Sequence, residues 1–160
     1  LSIRRQRQMC IRDRIDTLNT GQILLGLDIG DKSIGVALSD KNLIIGSPLK
    51  TIYRKGGLKD IDSMRIICNE FNVGGIIIGL PLSLDGQENI RTKKTREFAK
   101  KLSSSLSLDY YFQDERFSTA VVTKEMRKNS LSNKKIKKHV DHSAAAYILQ
   151  GFLDKYLRNL

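Results

Sequence analysis

The sequence predicts an α/β protein built on a mixed five-stranded sheet, three antiparallel strands followed by two parallel ones, flanked by helices. Three observations lead there. From residue 22, three apolar stretches are parted only by the turn-rich clusters Gly30-Asp31-Lys32 and Asp40-Lys41-Asn42. Residues 73–80, VGGIIIGL, are apolar without alternation, as a strand covered on both faces would be. Segments with helical spacing then separate the later strands, which is how parallel strands are connected.

The elements follow in order. Short turns between the first three strands imply hairpins and an antiparallel meander. After Gly56-Gly57, the residues Leu58, Ile61, Met64, Ile67 (or Cys68) and Phe71 recur at helical spacing. The buried strand at 73–80 ends in a loop, PLSLDGQEN at 81–89, where Asp85-Gly86 reads as a turn. A basic helix is expected from about Ile90 to Ser105, and LDYYFQ at 108–113 is the fifth strand. Tyr110, Tyr111 and Phe112 alternate along it and read as core. A helix is expected from about Ser118 to Lys128, then a basic loop, SLSNKK, and a final helix from about Val140 to Tyr156. The order is β-β-β-α-β-α-β-α-α.

At 160 residues the chain fits one domain with a real core. No apolar run approaches the roughly 20 residues of a membrane helix, and no signal-like apolar core follows the basic start. Cys10 and Cys68 have neither metal-ligand nor disulfide-framework spacing, which fits a reducing cytoplasm. The net charge of +11 and a pI near 9.8 favour a polyanionic partner such as nucleic acid. Residues 1–14, LSIRRQRQMCIRDR, hold five arginines against one aspartate and show no periodicity. They resemble translated sequencing-adapter sequence and are set apart from the domain at 15–160. Without them the chain keeps +7 of its +11.

Alternation gives the first hairpin two unlike faces. Leu25, Leu27 and Ile29 point one way, with Ile34, Val36 and Leu38. Leu24, Gly26, Asp28 and Gly30 point the other, with Ser33, Gly35, Ala37 and Ser39. The second face is nearly bare, with one carboxylate in it. A buried aspartate needs hydrogen bonds, an ion partner or a metal. Small neighbours would leave room for a cation and a phosphodiester backbone. The structural alternative is a turn-proximal aspartate bonded to the Gly30 or Lys32 amides. Asp31 and Asp40 read as ordinary turn residues.

Carboxylates that could converge with Asp28 lie in Asp114-Glu115-Arg116, directly after the fifth strand, and at Asp141, which opens the last helix. Converging carboxylates are what Mg²⁺ or Mn²⁺, and a two-ion site, require. An ion pair at a strand end and a helix-dipole contact are their alternatives. Ala144, Ala145 and Ala146 would let the last helix approach the sheet closely. Lys32, the group Arg91, Lys93, Lys94 and Arg96, and the group Lys134, Lys135, Lys137 and Lys138 border these acids, as a phosphate-binding rim would.

The stretch DIGDKS resembles the first phosphate loop of actin-like and sugar-kinase ATPases, but neither a second domain nor a second Gly-rich hairpin accompanies it. Four segments together, LLGLDIGDKSIGVALSD, IIIGLPLSLDGQEN, DERFST and KKHVDHSAAAYILQ, match a family in order and spacing. Over about residues 23–156 the chain resembles the YqgF/RuvX-like family of bacterial pre-16S rRNA nucleases. The resemblance implies a ribonuclease-H-like fold, related to Holliday-junction resolvases. It also implies a metal-dependent nuclease acting in 5′-end processing of precursor 16S ribosomal RNA; the alternatives are a Holliday-junction resolvase acting on structured DNA, with a homodimer as its assembly, and a non-catalytic nucleic-acid-binding module with a degenerate site. Asp28, Glu115 and Asp141 would be its acidic active-site residues and metal ligands. Arg116 would contact phosphate or orient a carboxylate; Lys32, Arg91 and Lys138, taken from the basic rim, are the expected substrate contacts. Gly79, Leu80 and Pro81 would shape the adjoining loop. Junction resolvases end their central parallel strand in an acid; here Glu115 would replace it from the neighbouring strand.

Overall fold

The computed structural model describes residues 18–19, 21–114 and 133–156, with side chains described for 144–155 in the last stretch. The expectations for residues 1–14 and for a helix at 118–128 lie outside them. The strands are β1 (Ile23–Ile29), β2 (Ser33–Ser39), β3 (Gly46–Tyr53), β4 (Val73–Leu80) and β5 (Tyr110–Asp114). The helices are α1 (Gly57–Glu70), α2 (Ile90–Leu106) and α3 (Asn133–Tyr156).

The sheet order is β3-β2-β1-β4-β5. β1 pairs antiparallel with β2, and β2 with β3, while β1–β4 and β4–β5 are parallel. The predicted mixed topology is therefore present. β1 lies at the centre of the sheet, where hydrogen bonds on both edges hold it. The unalternating run in β4 is buried at all eight positions, as a strand between two helical layers requires.

Helices cover both faces. On one side Leu25, Leu27, Ile29, Ile34, Val36, Ile76 and Ile78 pack against Ile61, Met64 and Ile67 of α1 and Phe98, Ala99 and Leu102 of α2. On the other, Leu24, Ala37, Ile77 and Tyr111 meet Ala145, Ile148, Leu149, Phe152 and Leu153 of α3. The β5 aromatics are core on both sides. Tyr111 packs on Phe152 at 5.0 Å between ring centroids, while Tyr110 and Phe112 join the α1/α2 cluster.

Three expectations are corrected. α3 starts at Asn133 rather than about Val140, so part of the expected basic loop is helix. Lysine is a good helix former, and Ile136, Val140, Ala144, Ile148 and Phe152 recur every fourth residue. Asp141 consequently lies in the third turn of α3, not at its opening. Leu58 is 81% exposed, and the buried stripe of α1 begins with Asp60, followed by Ile61 and Met64. β5 runs one residue further than expected, so Asp114 is its last residue. Among the described residues no helix is long and apolar enough to cross a membrane.

Candidate functional site

Asp28 sits near the carboxyl end of β1, on the α3 side of the sheet. Leu27 and Ile29 beside it in sequence are in the α1/α2 core, so alternation turns Asp28 the other way. Its cross-strand partner on β2 is Gly35. On β4, Gly26 and Leu27 pair with Ile77 and Ile78, and the next position in that register is Gly79. The half-buried carboxylate thus stands between two residues without side chains.

The bare face is bare for two different reasons. At Gly26 the space is taken by α3: an added Cβ would lie 2.8 Å from Leu149 Cβ and 3.1 Å from the Ala145 carbonyl oxygen. No cation or phosphate could enter there, so Gly26 is not one of the small neighbours that leave room beside Asp28. Around Asp28 the small residues are Gly35 and Gly79. Ala144 and Ala145 are buried, so the low profile of α3 does bring the helix down onto the sheet. Ala145 and Leu149 are spaced by four and share one ridge of the helix. That ridge is the one resting on Gly26.

Strand parity separates the two acids at the end of β5. Tyr111 faces α3, and so does Gln113, whose Nε2 would be 3.2 Å from a Cβ on Gly151. Tyr110 and Phe112 face α1 and α2, and Asp114 follows their parity. Asp114 therefore belongs to the opposite face from Asp28. Glu115 and Arg116 lie outside the described residues, as does the side chain of Asp141. Among the described residues no three His, Cys, Asp or Glu side chains group closely enough to hold a metal ion. The donor type does suit one: Asp28 offers a hard carboxylate oxygen, as Mg²⁺ and Mn²⁺ prefer.

The loops at this end are well braced. β1, β4 and β5 are mutually parallel, so their carboxyl ends open on one edge, the usual place for α/β sites. α2 begins there with a capping box, in which Asn89 Oδ1 accepts from the Thr92 amide and Thr92 Oγ1 from the Asn89 amide. Thr92 Oγ1 also donates to the Pro81 carbonyl at 2.6 Å, tying the 81–89 loop to the helix. Asp85-Gly86 is a turn, with Gly86 at φ +86°.

Of the expected basic rim, Lys32 lies exposed in the β1–β2 turn and Arg91 exposed in the first turn of α2. Lys94 Nζ lies 4.0 Å from Asp31 Oδ1, which links the start of α2 to that turn. Arg96 is already engaged: its Nε donates to Glu88 at 2.8 Å and its guanidinium covers the Phe112 ring. It is structural rather than part of a rim. Lys138 lies in α3, with its side chain outside the described set.

One feature escaped sequence reasoning. Arg54, just past β3, donates from Nε to Asp60 Oδ2 and from Nη1 to the Gly30 carbonyl, each at 3.0 Å. A lone arginine after a strand carries no local signal; only the fold brings it beside Gly30 and Asp60.

The architecture defines a ribonuclease-H-like protein carrying one acid on its central strand. Solved structures agree on the fold. The chain superposes on Thermus thermophilus RuvC in complex with a Holliday junction substrate with a TM-score of 0.54 at 10% identity, covering 86% of this chain and 96% of that one. For the fowlpox virus resolvase bound to Holliday junction DNA the TM-score is 0.53 at 13% identity, covering 85% and 99%. The chain itself belongs to the RuvX family, described as Holliday junction resolvase, which matches residues 22–155. Relatives from Methylocella silvestris and Ruegeria pomeroyi, each named "Putative pre-16S rRNA nuclease", are both 44% identical over 137 residues. The match covers 86% of this chain in both cases, and 85% and 88% of the respective relatives.

Proposed function

We propose that this chain is a cytoplasmic nuclease that hydrolyses phosphodiester bonds of precursor 16S ribosomal RNA, using divalent cations held by Asp28, Glu115 and Asp141. The observation that carries the reading is the setting of Asp28, a half-buried carboxylate between Gly35 and Gly79 at the edge where parallel strands end. Two further points support the ligand set. Asp114 follows the parity of Tyr110 and Phe112, away from the Asp28 face, which disfavours it and leaves Glu115 as the acid of that pair. Asp141 lies in α3 four residues before Ala145, whose carbonyl oxygen closely approaches Gly26, two residues before Asp28 on β1.

Bound Mg²⁺ or Mn²⁺, as two ions, would supply a water-derived nucleophile and neutralise charge on the leaving oxygen. The protein's own part is alignment. Asp28 is fixed by the central strand, and Lys32 and Arg91, with Arg116 and Lys138, would form a rim for the phosphate backbone. The names of the relatives favour RNA.

A second reading is cleavage of four-way DNA junctions by a homodimer, favoured by the family's description. The parallel strand β4, beside β1, argues against it, since it ends in Gly79-Leu80, followed by Pro81, with no acid. One assay separates the two. The chain is incubated with precursor 16S RNA, a four-way DNA junction and single strands, in Mg²⁺ or Mn²⁺. Cleavage of the RNA is expected; cleavage of junctions alone would overturn the RNA assignment, and cleavage of nothing would overturn both readings.

A further inference from the structure

The Arg54–Asp60 pair lies behind the site, on the α1/α2 side of the sheet. Asp60 is 1% exposed, and both its oxygens are occupied: Oδ2 by Arg54 Nε at 3.0 Å and Oδ1 by the Lys55 amide at 2.9 Å. The Arg54 guanidinium also lies 4.9 Å from the Phe98 ring centroid, so α2 holds it from a third direction. Its remaining contact is the informative one. Nη1 donates to the carbonyl of Gly30, two residues after Asp28, while the Arg54 amide donates to the Lys32 carbonyl at 2.9 Å. Within the turn, the Gly30 amide donates to the Ser33 carbonyl at 2.8 Å. The turn that follows Asp28 is therefore gripped on both sides of Asp31, by one residue.

A buried ion pair contributes little net stability compared with apolar packing, because desolvation offsets the attraction. What it does supply is a fixed geometry. A guanidinium can serve Asp60 and the Gly30 carbonyl with two differently directed N–H groups at once. A lysine ammonium on a flexible stem, placed at the same position, would hold one of them poorly or lose it.

We propose that Arg54 is a positioning residue: anchored by Asp60 and Phe98, it fixes the β1–β2 turn and thereby the orientation of the Asp28 carboxylate toward a divalent cation. The inference rests on the proposed metal-binding role of Asp28. Outer partners of metal ligands commonly change affinity by about 10- to 100-fold when altered. Arg54 would act in this way through the backbone rather than by touching Asp28.

The test measures Mn²⁺ binding by electron paramagnetic resonance on the full chain, beside thermal unfolding. Arg54→Lys is expected to bind Mn²⁺ roughly tenfold more weakly while remaining folded, with cleavage recovered at higher Mn²⁺. Asp60→Asn, which releases the guanidinium but keeps an oxygen for the Lys55 amide, should act in the same direction and serves if Arg54→Lys does not fold. Leu102→Ala, a core change away from the turn, should lower the unfolding temperature without altering Mn²⁺ affinity. Wild-type Mn²⁺ affinity in folded Arg54→Lys or Asp60→Asn overturns the inference, as does an equal loss in Leu102→Ala. Asp28→Asn distinguishes the two levels. If it abolishes binding while Arg54→Lys is normal, only the positioning role fails; if it binds as wild type, the metal role of Asp28 fails too.

Discussion

The two faces of the central sheet are made from the same strands yet built for different ends. Toward α1 and α2, β1 presents Ile23, Leu25, Leu27 and Ile29, all buried among branched aliphatic and aromatic partners. Toward α3 it presents Leu24, Gly26 and Asp28. The first face gains stability from area. The second keeps side chains small, so that a helix comes within contact of the sheet backbone at Gly26 and a carboxylate stands between glycines. Neighbouring residues in one strand can thus be asked opposite questions.

Leu27 should show the largest effect on folding. It is fully buried, and Leu27→Ala should cost about 2–5 kcal/mol in denaturant unfolding, by lost transfer energy and the cavity left behind. Cleavage per folded molecule should change little. A comparable loss of activity in the folded fraction would show that the two faces are not separable.

Gly26 tests the other face. Gly26→Ala puts a methyl group 2.8 Å from Leu149 Cβ, so α3 must shift or the strand must bend. Overpacking of this kind costs roughly 1–3 kcal/mol. Because α3 carries Asp141, the same variant should lose cleavage even where circular dichroism shows a folded protein. Unchanged activity would argue that the spacing between α3 and β1 is unimportant to the site.

The smallest effect concerns the β2–β3 hairpin, at the end of β2 away from Asp28. Amides donating to Asp40, first that of Ile45 and then those of Ile44 and Asn42, hold its carboxyl below the ordinary value of 3.8, against a smaller opposing push from burial. A lowered folded value means that this contribution is present above pH 3.8 and fades as pH falls through the folded value. Asp40→Asn should therefore narrow the difference in stability between pH 6 and pH 3, by less than about 1 kcal/mol at this exposed site. Thermal unfolding at both pH values measures it, and an unchanged difference would show that the turn contacts add nothing.

How much of this was legible beforehand depends on the range of the forces involved. Strand alternation is local, so the two faces, Asp28 on the barer one, and the core role of Tyr111 could be read directly. The unalternating run at 73–80 likewise announced a strand covered twice. The start of α3 was obscured because a lysine-rich stretch looks like a solvated loop, although Ile136, Val140 and Ala144 keep helical spacing through it. Leu58 misled because its spacing fits the α1 stripe, while the folded helix buries Asp60 instead. Two features needed the assembled fold. The parity of Asp114 depends on where β5 ends, and the Arg54 contact to Gly30 joins residues 24 apart that no pattern links.

The central claim is that Asp28 serves chemistry and not the fold. Asp28→Asn is nearly isosteric and should leave thermal stability and nucleic-acid binding close to wild type. Loss of a metal-binding carboxylate worth several kcal/mol at the transition state should slow cleavage by at least about a thousandfold. The direct measurement is single-turnover cleavage of precursor 16S RNA in Mg²⁺, with binding measured in parallel. Binding retained with cleavage abolished is the predicted result; cleavage at the wild-type rate would contradict the account.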